Sequence, residues 1–188
     1  MNRSGFALEG YKNSIEFYCN TKEEREKWMT YLKSVCILPN MRKNYKVVEK
    51  LDKGNFGTIY LGVRESDNKQ FAIKTISKKL LLKRQMNIDK LVSEIKILRL
   101  MNHPRIMKLH EVYESNTHVH LVMEYIRNGN LLSHLKTKGA YNEKEASCLI
   151  MQALDILVYC HSLNIIHRDL KLENLMIEYY LQINPIAE

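Results

Sequence analysis

Apolar and polar positions alternate twice near the start of the chain, at Phe6-Ala7-Leu8 and again at Ile15-Glu16-Phe17. Period-two runs on either side of a polar turn at Lys12-Asn13-Ser14 predict a β-hairpin. The period then lengthens. Trp28, Tyr31, Leu32 and Val35 recur at helical spacing behind Thr21, which is followed three positions later by Glu24. A capping threonine with a glutamate at that distance predicts a capping box and a helix whose apolar face must pack on something. Residues 37–44 (ILPNMRKN) carry neither period and read as a short linker. From Tyr45 the pattern becomes strand, glycine-containing turn, strand, and a further strand ending in Lys74. Ile88, Leu91, Val92, Ile95 and Leu98 fall on one helical face, and two strand-like runs follow around Met107–Tyr113 and Val119–Tyr125. A second long helix is predicted over 145–161, where Ala146, Leu149, Ile150, Ala153, Leu154, Leu157 and Val158 keep the i, i+3, i+4 rhythm. The expectation is an α+β fold: a sheet with one helix, then further helices, with a hairpin and a helix in front.

Bulk properties narrow the class. The chain has 188 residues, 45% hydrophobic and 27% charged, enough for one full core or pieces of two. No run approaches the length of a membrane span, and MNRSGFALEG has no apolar leader core, so an intracellular, cytoplasmic protein is expected. Cys19, Cys36, Cys148 and Cys160 form no metal-binding spacing and read as free thiols. The net charge of +8 is scattered, with short clusters at Lys78-Lys79 and Lys83-Arg84. Scattered lysines form a solvated surface, so no nucleic-acid partner is expected. His103 has no second ligand at metal spacing and reads as a turn or packing residue.

Three motifs carry chemistry. Leu51-Asp52-Lys53-Gly54-Asn55-Phe56-Gly57-Thr58-Ile59 places two glycines in a turn between strands, where backbone N–H groups can approach phosphate without a Cβ in the way. Phe71-Ala72-Ile73-Lys74 alternates so that Ala72 and Lys74 share one side of a strand. Lys74 lies 17 residues beyond Gly57 and 20 before Glu94 in LVSEIKIL. His167-Arg168-Asp169-Leu170-Lys171-Leu172-Glu173-Asn174 follows the second long helix. Together these resemble the glycine-rich loop, the strand lysine with its helical glutamate, and the catalytic loop of eukaryotic protein kinases. Asn102-His103-Pro104-Arg105-Ile106-Met107-Lys108-Leu109 and Leu121-Val122-Met123-Glu124-Tyr125-Ile126 are similar to the family's connection after that helix and to its hinge.

The resemblance implies a kinase-like N-lobe, an antiparallel sheet plus one helix, followed by the first C-lobe helices. It implies ATP and Mg²⁺ as cofactor and a protein hydroxyl as substrate. Leu51, Gly54, Gly57, Ile59, Ala72, Lys74, Met123, Glu124, Ile126 and Met176 would line the nucleotide. Lys74 paired with Glu94 would hold the α- and β-phosphates, Asp169 would orient the substrate hydroxyl, and Lys171 would steady the γ-phosphate. Asn174 would ligate the metal, and His167 would pack in the hydrophobic spine. Lysine two residues after Asp169 implies Ser/Thr specificity. Two departures stand out. Asp52 occupies the place of the family's first loop glycine, and Ile59 that of a valine.

No Asp follows Asp169 and no Gly follows Gly139, so the family's D-F-G site is not among these residues. The chain is therefore expected to be a kinase truncated before D-F-G and inactive, the alternative being a non-catalytic nucleotide-binding or scaffold fragment. Leu149, Ile150, Leu154 and Leu157 are expected to form an uncovered apolar patch. Residues 5–36, two strands and a capped helix with an inward Trp28, resemble the C-terminal end of a pleckstrin-homology domain. The first hairpin of such domains, which meets phosphoinositides, is outside this stretch, so membrane phosphoinositide binding is not expected. The resulting division is 5–36, a linker at 37–44, and an incomplete kinase domain at 45–188.

Overall fold

The computed structural model describes residues 4–10, 13–54, 57–83 and 88–178. Strands β1 (Ser4–Glu9) and β2 (Ser14–Cys19) pair antiparallel, with Leu8 opposite Ile15 and Phe6 opposite Phe17, whose rings stack at 5.3 Å. The Gly10 N–H donates to the Asn13 carbonyl at 2.8 Å and closes the turn; Lys12 of the expected turn lies outside the described residues. Helix α1 (Lys22–Val35) starts as predicted, with the Thr21 hydroxyl accepting from the Glu24 N–H at 3.1 Å. The Glu24 carboxylate accepts from the Asn20 N–H at 3.0 Å, one residue before the cap itself. The expected apolar face is corrected by the structure. Trp28 is 51% and Tyr31 63% exposed, and Val35 is exposed too. The half-buried positions are Arg25, Met29, Leu32, Lys33 and Cys36. Arg25 turns inward because its Nε donates to the Gly5 carbonyl at 2.8 Å, which ties the helix to the hairpin.

A second, six-stranded sheet comes from β3 (Ile37–Pro39), β4 (Tyr45–Lys53), β5 (Gly57–Arg64), β6 (Gln70–Ser77), β7 (Leu109–Glu114) and β8 (His118–Glu124). Its spatial order is β3-β7-β8-β6-β5-β4. β4, β5 and β6 form an antiparallel meander, and β7 pairs antiparallel with β8. The stretch expected as a linker is built into this sheet. β3 runs parallel to β7, with Ile37 opposite Val112 and Pro39 opposite Glu114, and α1 also packs on β7. Proline is tolerated there because β3 is an edge strand. A 3₁₀ turn at Met41–Lys43 then buries Met41.

Met41, Tyr45, Phe71, Ile73, Tyr113 and Val122 form one core cluster, in which Ile73 and Val122 are 0% exposed. A buried carboxylate borders it. Glu111 accepts from the Tyr45 hydroxyl at 2.9 Å and the Tyr113 hydroxyl at 2.8 Å, and the Asn44 amide donates to the Tyr113 oxygen at 2.8 Å. Burial, reinforced by Glu111, pushes the Tyr45 hydroxyl far above its ordinary range; burial does the same for Tyr113. Helix α2 (Lys78–Lys83), which the sequence reading left out, buries Leu81 and places the Lys78 ammonium 2.5 Å from Glu114.

The chain divides into two compact units: Met1–Ser93 with Leu109–Met123, and Glu94–Lys108 with Glu124–Glu188. Helix α3 (Ile88–Leu100) runs through the boundary and buries Leu91 and Ile95. In the second unit, Asn130 caps α4 (Leu131–Lys138) through the Ser133 N–H, and Asn142 with Glu145 forms a reciprocal capping box on α5 (Glu143–Ser162). On α5, Ile150 is 59% and Val158 69% exposed, with Met151 and Leu154 also exposed, while Leu149 and Leu157 are half-buried. Among the described residues, no helix is long and apolar enough to cross a membrane.

Candidate nucleotide and phosphate site

In the first unit the register of the meander orders the candidate residues. Ile59 sits opposite Asp52 on β4 and opposite Lys74 on β6, and Leu61 sits opposite Ala72. Directly paired residues of an antiparallel sheet share a face. Asp52, Ile59 and Lys74 therefore form one cross-strand row, with Leu61 and Ala72 in the next row on that face. Ala72 is buried and Lys74 half-buried. The register slips between Lys50 and Asp52, so Leu51 is the extra residue of a bulge and stays exposed. Gly57 answers to a steric need, because a Cβ there would come within 2.1 Å of the Thr75 carbonyl oxygen. Gly54 has open room, with its nearest such contact at 3.8 Å. Asn55 and Phe56 of the loop lie outside the described residues. Met123, one residue before the end of β8, sits opposite Leu109 and is half-buried.

In the second unit the strand continues into a turn. The Glu124 N–H donates to the Lys108 carbonyl at 3.0 Å, and the Glu124 carboxylate accepts from the Lys108 N–H at 3.4 Å. Glu124 and Ile126 are half-buried, and Glu94 lies exposed on α3. His103 behaves as the turn residue expected: its Nδ1 accepts from the Arg105 N–H at 3.2 Å, and its ring lies 4.9 Å from that of Tyr159.

The loop 167–174 draws three of the predicted residues into direct contact. The Lys171 ammonium lies 2.9 Å from Asp169 Oδ1. The Asn174 amide nitrogen donates to Asp169 Oδ2 at 2.9 Å and to the Asp169 carbonyl at 2.7 Å. A 3₁₀ turn at Leu172–Asn174 brings Asn174 back toward Asp169. Lys171 first, and Asn174 next, hold the Asp169 carboxyl below the usual carboxylate range, and the same contact raises the Lys171 ammonium. Both Asn174 bonds use its nitrogen, so among the described residues no hydrogen bond engages the amide oxygen, a group of the kind a hard cation takes.

Two features of this loop escaped the sequence reading. Arg168 adopts φ +62°, a left-handed conformation costly for a residue with a Cβ. His167, expected to pack in a spine, is instead exposed, and its Nδ1 accepts from the Asp169 N–H at 3.3 Å. The left-handed residue between them folds the chain so that His167 caps the turn. Beyond the loop, Met176 bridges Asn130, the Leu131 N–H donates to the Leu175 carbonyl at 2.7 Å, and the Ile177 N–H donates to the Gly129 carbonyl at 2.9 Å. Gly129, at φ +73°, supplies the turn that makes this zipper possible. The Gly129-Asn130 pair was the signal for it. The described residues contain no group of three His, Cys, Asp or Glu that could hold a metal ion.

The sequence that carries this arrangement matches known proteins. Residues 45–184 match the protein kinase domain. The chain is 40% identical over 144 residues to a calcium/calmodulin-dependent protein kinase type 1 of Macrobrachium nipponense, covering 76% of this chain and 40% of that protein. It is 41% identical over 137 residues to calcium-dependent protein kinase 5 of Plasmodium falciparum, covering 73% and 23%. With the serine/threonine-protein kinase SIK2 of Gallus gallus it shares 38% over 139 residues, covering 74% and 17%. The chain thus spans well under half the length of these relatives. The glycine-rich meander, the lysine in row with Ile59 and the Asp169–Lys171–Asn174 cluster fall inside the matched region, and on that match the chain belongs to the protein kinase family.

Proposed function

We propose that residues 45–178 form the nucleotide-binding and hydroxyl-orienting part of a Ser/Thr protein kinase. The observation that carries this reading is the joining of Asp169, Lys171 and Asn174 through direct contacts within one loop. A carboxylate held below its usual range is a weak base, so Asp169 serves to orient the substrate hydroxyl rather than to strip it early. Lys171, a mobile point charge already beside Asp169, steadies the γ-phosphate. Lys74 holds the α- and β-phosphates. Within the first unit, Leu51, Ile59 and Ala72 face the adenine, Gly54 and Gly57 allow close approach of the loop backbone, and Met123 limits how deep the base can enter.

Mg²⁺ takes oxygen ligands and commonly binds through one or two protein groups plus phosphate and water. The amide oxygen of Asn174 fits that chemistry as one such ligand. When bound, the ion neutralises charge developing on the phosphate oxygens. The reading assigns nucleotide binding, and with it phosphoryl transfer to the oriented hydroxyl, to the protein of which these residues are part. Thermal-shift titration with Mg²⁺-ATP checks the first part, and radiolabelled phosphate transfer to a basic Ser/Thr peptide checks the second. Transfer clearly above background and abolished by Asp169→Asn would show that these residues suffice for catalysis. Absence of any nucleotide-dependent shift would leave only a scaffold role.

A further inference from the structure

Asp52 takes no part in the nucleotide contacts described above. Asp52 stands opposite Ile59, and Ile59 stands opposite Lys74, so a carboxylate and an ammonium share one face of the sheet two strands apart. Two interstrand spacings place their backbones about 10 Å apart. The strand's nearby lysines do not offset the acid on that face. Lys50 pairs with Tyr60 and Lys53 with Thr58, positions that point to the opposite side from Ile59. Asp52 is exposed, and its Oδ1 accepts from the Lys53 N–H at 2.7 Å. That bond fixes the carboxylate at the entrance of the loop and leaves its second oxygen open.

We propose that Asp52 is a specificity-determining charge on the nucleotide face: it weakens binding of a metal-free nucleoside triphosphate and so selects nucleotide whose phosphate charge has been neutralised by a divalent cation. The inference rests on the nucleotide reading of Lys74 given above. A single negative charge repels a metal-free triphosphate more than a Mg²⁺-bound one, and leaves an uncharged nucleoside nearly unaffected. Glu49 supplies an internal control. It faces the same side, opposite Leu61, one row further from Lys74.

The test is calorimetric titration of the full 188-residue chain and its variants with adenosine, with ATP in EDTA, and with ATP in Mg²⁺. In Asp52→Asn the side chain keeps an oxygen for the Lys53 N–H and loses only the charge. Removal of one charge at this range is expected to tighten metal-free ATP by about tenfold, Mg²⁺-ATP by about threefold, and adenosine not measurably. Asp52→Gly should give the same order with the backbone cap removed. Glu49→Gln should tighten metal-free ATP less than Asp52→Asn does. Equal tightening of all three ligands, or none, with binding otherwise intact, overturns the charge-selection role alone. A wild-type chain and variants that bind none of the three overturn the nucleotide reading and this role together.

Discussion

Strand β6 and helix α5 carry comparable apolar content but end in opposite environments. On β6, Phe71 and Ile73 face a core closed by Tyr45, Tyr113 and Val122, while Ala72 and Ile76 are buried on the other face. On α5, the row Ile150, Met151, Leu154 and Val158 stays open among the described residues. Periodicity in a sequence reports which side chains share a face. It does not report whether anything lies against that face. The difference matters energetically, because only a covered side chain loses its contacts with water and gains close packing.

The strongest test of that contrast is a pair of truncations. Ile73→Ala should lower the unfolding free energy by about 2–5 kcal/mol, whereas Val158→Ala should stay within about 0.5 kcal/mol, both read from urea unfolding. Equal costs would mean that α5 is covered in solution. A second test sharpens what holds the sheet side together. Glu111→Gln replaces the charged acceptor between Tyr45 and Tyr113 and should cost about 1–3 kcal/mol by the same measurement. Loss beyond that range would mean that the carboxylate organises more of the core than the two tyrosines.

The smallest effect belongs to the surface of the meander. Arg64 donates through Nε and Nη2 to the Asp67 carboxylate at 2.9 and 2.6 Å, and this bonding lowers the Asp67 carboxyl from 3.8 to about 2. A folded-state value below the unfolded one stabilises the fold above the unfolded value. The contribution is lost as pH falls through the folded one. The urea midpoint of Asp67→Asn should therefore lie slightly below wild type at pH 5 and converge with it as pH falls from 3.8 toward 2. A gap that persists at pH 2 would assign the effect to turn geometry, where Asp67 Oδ1 also accepts from the Lys69 N–H, and not to ionisation.

The loop 167–174 was legible because its contacts are local. Asp169, Lys171 and Asn174 lie within six positions, and a short 3₁₀ turn is enough to bring them into contact. The spacing of Lys74 from Gly57 was legible for a similar reason, since adjacent antiparallel strands fix register through short turns. Contacts between distant segments were harder to read. On α1, two stripes are possible, Trp28-Tyr31-Leu32-Val35 and Arg25-Met29-Leu32-Cys36. Counting apolar residues favours the first. The carbonyl of Gly5, which the count ignores, fixes Arg25 inward. The three-residue β3 is too short for a period to show, and its partner is far along the chain. His167 was misread because its surroundings depend on the left-handed Arg168, which sequence pattern does not reveal.

That short strand also orders the folding of the molecule in time. Ile37 meets Val112 only after the chain has passed through β4, β5, β6, α2 and α3. The meander closes through short turns and gains its hydrogen bonds early, whereas β3 must wait for β7 and bear the entropy of a long loop. Three parallel pairs are a weak reward for that wait. The edge that carries α1 is thus expected to form last in the sheet and to open first under load.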